Sequence, residues 1–166
     1  MITIRHFAAL FALILATVTL AAPSPSFAAD YDFGNSSSAT LTGKAWKASE
    51  SGDLDAVKAY TGRCRELYEA QAVKMQSELT EPAPKEKANQ YWALNDVGTC
   101  LFILGNALEK AGDKKGALEN YSFLATRLSY AQCWDTKGWF WKPADAAKSK
   151  ISALEFETAS EAPAKK

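Results

Sequence analysis

From Glu86 to Ser129 the chain reads EKANQYWALNDVGTCLFILGNALEKAGDKKGALENYSFLATRLS, and the periodicity of this stretch decides the fold class. Leu94, Val97, Leu101, Leu104 and Leu108 recur at three- and four-residue spacing, with Cys100, Ile103 and Ala107 as a second apolar stripe beside them. That pattern predicts a helix from about Glu86 to Ala111 packed between neighbours. Gly112 and Asp113 end it and start the next, since glycine takes the left-handed turn at a helix end and aspartate accepts from the free amides of the following helix. The second helix is predicted from about Lys114 to Ser129. It faces the first through Ala117, Leu118, Tyr121, Leu124, Ala125 and Leu128, giving an antiparallel helical hairpin.

The same grammar occurs upstream. A short helix from about Ala39 to Ser51, the turn Gly52-Asp53 and a helix from about Leu54 to Glu78 burying Val57, Tyr60, Cys64, Leu67 and Met75 form a first unit, so the chain carries an internal repeat. Pro82 and Pro84 mark a linker between the units. Pro143 suits the first turn of a last helix to about Phe156, with Ala147, Ile151 and Leu154 buried. Helix formers dominate and β-branched runs are missing, so the reading is an all-α domain over 39–157. Segments 29–38, with Gly34, Asn35 and three serines, and 158–166, with Ala, Pro, Lys and Glu, read as flexible ends.

At the N-terminus, Arg5 and His6 precede an apolar run from Phe7 to Leu20, and Ser26-Phe27-Ala28 offers small residues at both positions a signal peptidase reads. Residues 1–28 are therefore expected to be a cleaved secretory leader, and the protein to be periplasmic, or else released to the medium. No membrane span is expected after cleavage. The leader carries the sole His and one of the 19 basic side chains, which leaves 138 residues with 18 basic and 19 acidic groups. Without imidazole, histidine-activated nucleophiles and histidine-ligated metals are excluded from the mature chain. The balanced charge and the missing basic block exclude nucleic acid as a partner. No cofactor and no metal are implied.

Three cysteines remain in a chain expected to be oxidised. If the chain reverses near Ala83, Cys64 and Cys100 lie at nearly equal height on adjacent antiparallel helices, which predicts a Cys64–Cys100 disulfide with Cys133 left over. A Cys100–Cys133 bridge and free buried thiols are the alternatives.

The second unit resembles the tetratricopeptide repeat, with Leu104-Gly105 as the small contact point of the first helix, Gly112-Asp113 at the turn, and Ala117 and Tyr121 as the small and large pair of the second helix. Leu101 stands where that family has an aromatic residue, and Ser129 where it has a closing proline. More narrowly, Tyr91-Trp92-Ala93-Leu94-Asn95-Asp96 together with the aromatic segment from Tyr130 to Lys142 is similar to a group of small exported bacterial helical-repeat proteins, some labelled β-glucanase precursor. The resemblance implies a concave face receiving a peptide, here Trp46, Asn95, Thr99, Phe102, Asn106 and Glu109, with Thr42, Ser49, Glu50 and Lys110 beside them. It implies a non-catalytic scaffold for an unidentified envelope protein or peptide.

The segment from Tyr130 to Trp141 holds five aromatic residues in twelve. It reads either as a cap closing the open end of a short helical stack or as a platform of Trp134, Trp139 and Trp141 that stacks on sugar rings. The platform supports the rival function, a carbohydrate or cell-wall binder or a β-glucanase-like hydrolase acting through Glu109 or Asp135. A glycosidase needs two carboxyl groups facing each other about 5 to 10 Å apart, and no such pair is nominated by the sequence.

Overall fold

The computed structural model describes residues 30–161, so the leader expected over 1–28 and most of the C-terminal tail lie outside the described residues. The chain from Tyr31 onward forms five helices and one small β-ribbon among the described residues: α1 (Ser38–Ser51), α2 (Leu54–Ser77), α3 (Trp92–Lys110), α4 (Lys114–Arg127), strands β1 (Cys133–Asp135) and β2 (Trp139–Trp141), and α5 (Pro143–Glu161). It is an all-α fold carrying one ribbon.

The two helical hairpins turn in the same way. Gly52 and Gly112 both adopt positive φ, 75° and 84°, and the next residue's amide reaches back five positions: Asp53 N–H donates to Ala48 O and Asp113 N–H to Leu108 O, each at 2.9 Å. Each aspartate then caps the following helix, Asp53 Oδ1 accepting from Ala56 N–H at 2.9 Å and Asp113 Oδ1 from Gly116 N–H at 2.8 Å.

Helix α3 is the axis of the molecule and touches the other four helices. Its Leu94, Val97, Leu101 and Ile103 are fully buried, with Leu104 and Leu108 nearly so, and they meet Leu41 of α1, Val57 of α2 and Leu124 of α4. Two glycines set its distances. A Cβ on Gly105 would stand 2.4 Å from Tyr121 Cε1, and one on Gly98 would stand 2.5 Å from the Cβ of Ala131. Tyr121 therefore lies directly on α3, and the segment leaving α4 crosses α3 at Gly98.

The structure departs from the sequence reading in four places. First, the helix expected from Glu86 begins at Trp92, because residues Ala88–Tyr91 form a 3₁₀ turn whose Ala88 carbonyl is taken by Asn95 Nδ2 at 2.8 Å. Second, residues 31–37, read as flexible, are held against α2: Tyr31 and Phe33 meet Tyr60 edge-on at 5.8 and 5.9 Å, and the Tyr68 hydroxyl donates to Ser36 O at 2.9 Å. Ser37 caps α1.

Third, the aromatic segment folds back as an antiparallel ribbon. Asp135 Oδ1 accepts from Lys137 N–H and Asp135 O from Gly138 N–H, at 2.8 and 2.9 Å, closing a three-residue loop that ends in a positive-φ glycine. Fourth, the Cys64–Cys100 disulfide is not formed. The two residues do face each other across α2 and α3, yet both are buried free thiols. Disulfide formation starts from a thiolate, and the hydrogen bond with the neighbouring Cys64 thiol, with burial added to it, raises the Cys100 thiol well above its ordinary range.

The glycine spacings predict opposite outcomes for one substitution. Gly105→Ala drives a methyl into the Tyr121 ring, and despite a helix-propensity gain of about 1 kcal/mol it should destabilise the fold by roughly 1–3 kcal/mol in urea melts. Gly43→Ala and Gly62→Ala, in α1 and α2 with nothing within 4 Å, should each stabilise by about 0.5–1 kcal/mol.

Candidate functional site

The ribbon register divides the aromatic segment. Trp134 pairs with Phe140, Cys133 with Trp141 and Asp135 with Trp139, and directly opposite residues share a face. Trp134 and Phe140 thus lie on one face, their rings edge-to-face at 5.0 Å, whereas Trp139 and Trp141 lie on the other. The three tryptophans proposed as a platform do not form one surface. Trp141 is half-buried with its ring 5.1 Å from Phe102, closing that part of the helical stack, and Trp139 stays 52% exposed.

The stripe expected on the concave face is divided as well. Phe102 is occupied by Trp141 on one side and Tyr121 on the other, at 5.1 and 6.1 Å. The buried Tyr121 hydroxyl lies 2.8 Å from Asn106 Oδ1 and 2.9 Å from Glu109 Oε2, and Glu109 Oε1 is paired with Lys150 of α5 at 3.0 Å. Burial, with the Glu109 charge beside it, pushes the Tyr121 phenol far up, so it is a structural donor. Trp46 is half-buried against the core. Phe102, Asn106 and Glu109 therefore hold α4, α5 and the ribbon in place.

What remains open is the N-terminal end of the stripe. There α1 contributes Ala39 and Thr42, the 3₁₀ turn and α3 contribute Asn89, Trp92, Asn95, Asp96 and Thr99, and the ribbon contributes Gln132, Cys133, Trp134 and Phe140 around a recess of about 320 Å³. A second recess, lined by Lys85, Asn89, Trp134 and Phe140, shares the last two rings. Of the residues nominated from sequence, Thr42, Asn95, Thr99 and Trp134 come together here.

Internal bonds fix the walls. Asn95 is spent at both ends of its amide, Nδ2 donating to Ala88 O and Oδ1 accepting from Gln132 N–H, each at 2.8 Å. Gln132 Nε2 donates to Ala83 O at 2.8 Å, and the Thr99 hydroxyl to Asn95 O at 2.8 Å. The rim rings are steadied by edge-on neighbours, Trp92 by Tyr68 at 5.5 Å and Trp134 by Phe140, while Trp92 and Trp134 remain 43% and 51% exposed.

Asp96 is not among the residues the sequence nominates and is the sole acidic residue among those lining the recess. Its Oδ2 accepts from the Ser38 hydroxyl of α1. Burial raises its carboxyl above the ordinary aspartate range, and the Ser38 bond offsets part of that rise. The signal was present in the sequence, because Trp92, Asp96 and Cys100 stand four residues apart on one helix face. Cys133 is half-buried at the ribbon end. Its thiol is also pushed up, chiefly by burial and further by Asp96 and Asp135, against opposing bonds from Thr99 and Trp141, so it is protonated near neutral pH.

The other acids named for hydrolysis are engaged elsewhere, Glu109 with Tyr121 and Lys150, Asp135 in the ribbon turn. Among the described residues no group of three His, Cys, Asp or Glu side chains is arranged to hold a metal, and no helix is long and apolar enough to cross a membrane. No protein-family model, curated protein or solved structure matches this chain.

Two outcomes follow from the geometry. Trp139→Ala should change stability by under about 0.5 kcal/mol, whereas Trp141→Ala, which uncovers Phe102, should cost about 2 kcal/mol, and thermal melts of the two variants decide it. Because the folded-state carboxyl of Asp96 is raised, its protonation favours folding. That contribution is complete below the ordinary aspartate value and is lost as pH climbs through the raised one. Asp96→Asn keeps an acceptor for Ser38 and removes the dependence, so relative to the parent it should gain stability above about pH 4, read from urea melts at acid and neutral pH.

Proposed function

We propose that this chain is an exported, non-catalytic module of tetratricopeptide-like hairpins that binds a protein or peptide segment in the cell envelope, periplasmic in location. The recess between α1, α3 and the ribbon receives that segment. The observation carrying the reading is the pairing of exposed, fixed tryptophans at the rim with polar walls whose hydrogen bonds are made internally. Exposed Trp side chains held by their neighbours add contact area at little entropic cost, the pattern of binding hot spots. A volume of about 320 Å³ is at the low end of the roughly 300–1,000 Å³ of ligand sites and suits one or two side chains.

The carbohydrate or β-glucanase-like reading finds a single tryptophan of its platform on the recess, Trp134, beside a single carboxylate. Two facing carboxyl groups are what glycoside hydrolysis requires. Panning a random-peptide library against the mature chain tests the two readings together. Enriched peptides should bind with micromolar affinity, at least tenfold more weakly to Trp134→Ala, whose ring is half-exposed so that the fold is kept. Soluble β-glucan that quenches tryptophan fluorescence saturably, with no peptide enriched, would overturn the peptide reading.

A further inference from the structure

The charge inventory of the recess is lopsided. Asn95 and Gln132 each direct one amide N–H, and Thr99 its hydroxyl, to backbone carbonyls, and the Thr42 hydroxyl donates to Ser38 O at 2.8 Å. Asp96 is different. An ionised carboxylate offers about four lone-pair sites, and the Ser38 hydroxyl takes one. No cationic side chain is paired with Asp96 among the described residues, although the group is half-buried, and a carboxylate partly withdrawn from water without a counter-charge is costly. The other side chains lining this recess are formally neutral.

The rim has the complementary chemistry. Trp92, Trp134 and Phe140 stand around the opening, and tryptophan is the best side-chain acceptor for a cation over its ring face. The protein itself shows this at Trp134: Lys85 Nζ lies 5.6 Å from the ring centroid, beside the neighbouring recess.

We infer that the recess is a cation site, in which a lysine or arginine side chain of the bound peptide places its charged end against Asp96 and its stem between Trp92, Trp134 and Phe140. The inference rests on the peptide-binding reading and specifies the side chain that the module selects. Lys85 is then a competitor, a like charge already seated on one of the rings.

The experiment follows the indole N–H signals of Trp92 and Trp134 by NMR while the mature chain is titrated with capped pentapeptides AAKAA, its norleucine counterpart and AAEAA, and with N-acetyl-lysinamide. The lysine pentapeptide should move both signals and the other two pentapeptides neither. Asp96→Asn should weaken its binding about tenfold, and Lys85→Ala should strengthen it about threefold. A thermal melt of Asp96→Asn shows whether it folds. Lys85 is exposed, so its variant keeps the test open in either case.

Equal binding of the norleucine peptide, no effect of either variant, or no movement of the rings with any peptide would overturn the cation inference. Panned peptides that still bind through Trp134 would then leave the module reading standing. Panned peptides indifferent to Trp134→Ala would remove both. N-acetyl-lysinamide bound as tightly as the pentapeptide would also overturn the proposal, by making a free amine the ligand.

Discussion

The close approach of Tyr121 to Gly105 is the contact on which the rest of the structure depends. Two helices whose facing residues are a glycine and a tyrosine come together at ring thickness, and the ring is then wholly buried. A buried hydroxyl must find an acceptor, and Tyr121 finds Asn106 and Glu109 on the next turn of α3. Glu109 is thereby fixed where Lys150 of α5 can reach it, and the Tyr121 ring leaves Phe102 tilted toward Trp141. One tight helix contact thus positions both the last helix and one side of the ribbon. Gly98 does the equivalent service seven residues earlier, letting Ala131 lie on α3 so that Gln132 N–H meets Asn95.

That chain of contacts explains why half of the expected surface is structural. In a longer array the face holding Phe102, Asn106 and Glu109 would stay open to a ligand, but two hairpins expose too much of their end to stand alone. The ribbon and α5 cover it. The Cys133–Trp141 side of the ribbon carries the ring that packs on Phe102, and alternation of side chains then obliges Trp134 and Phe140 to face the other way, over the recess. Cap and rim are two faces of one three-residue ribbon.

The helical frame was legible because its signals are local and repeated: Leu94 to Leu108 state a 3.6-residue period, and Gly52-Asp53 and Gly112-Asp113 state two turns with one geometry. The ribbon was not, since strands of three residues are too short to show a period of two, and only the Asp135-Thr136-Lys137-Gly138 turn could have announced it. The composition of residues 31–37 conceals their order. Gly34, Asn35 and the serines suggest looseness, whereas the order comes from Tyr31 and Phe33, whose partner Tyr60 is about thirty positions away. In the recess, Asn95 and Thr99 were found by helical spacing and Trp134 by aromatic density. Asp96 carries only the weak signal of its four-residue spacing from Trp92 and Cys100, because one acid in a helix is ordinarily a solvated one and it is the crossing of α1 at Ser38 and of the ribbon at Cys133 that shields this one.

Asp96 also shows how the fold and its site pull against each other. Helix α3 is the most apolar of the five described helices, and a carboxylate near its start, shielded by α1 and the ribbon, is the residue stability alone would not select. The Ser38 bond that ties α1 to α3 needs an acceptor there and not a charge, and the amides that join the 3₁₀ turn to the ribbon belong to Asn95. The cost falls on the same recess where two tryptophans are kept half in water. Desolvated charge and exposed rings are each unfavourable to the isolated domain. Both would be relieved by one incoming group that donates hydrogen bonds, carries positive charge and covers aromatic surface.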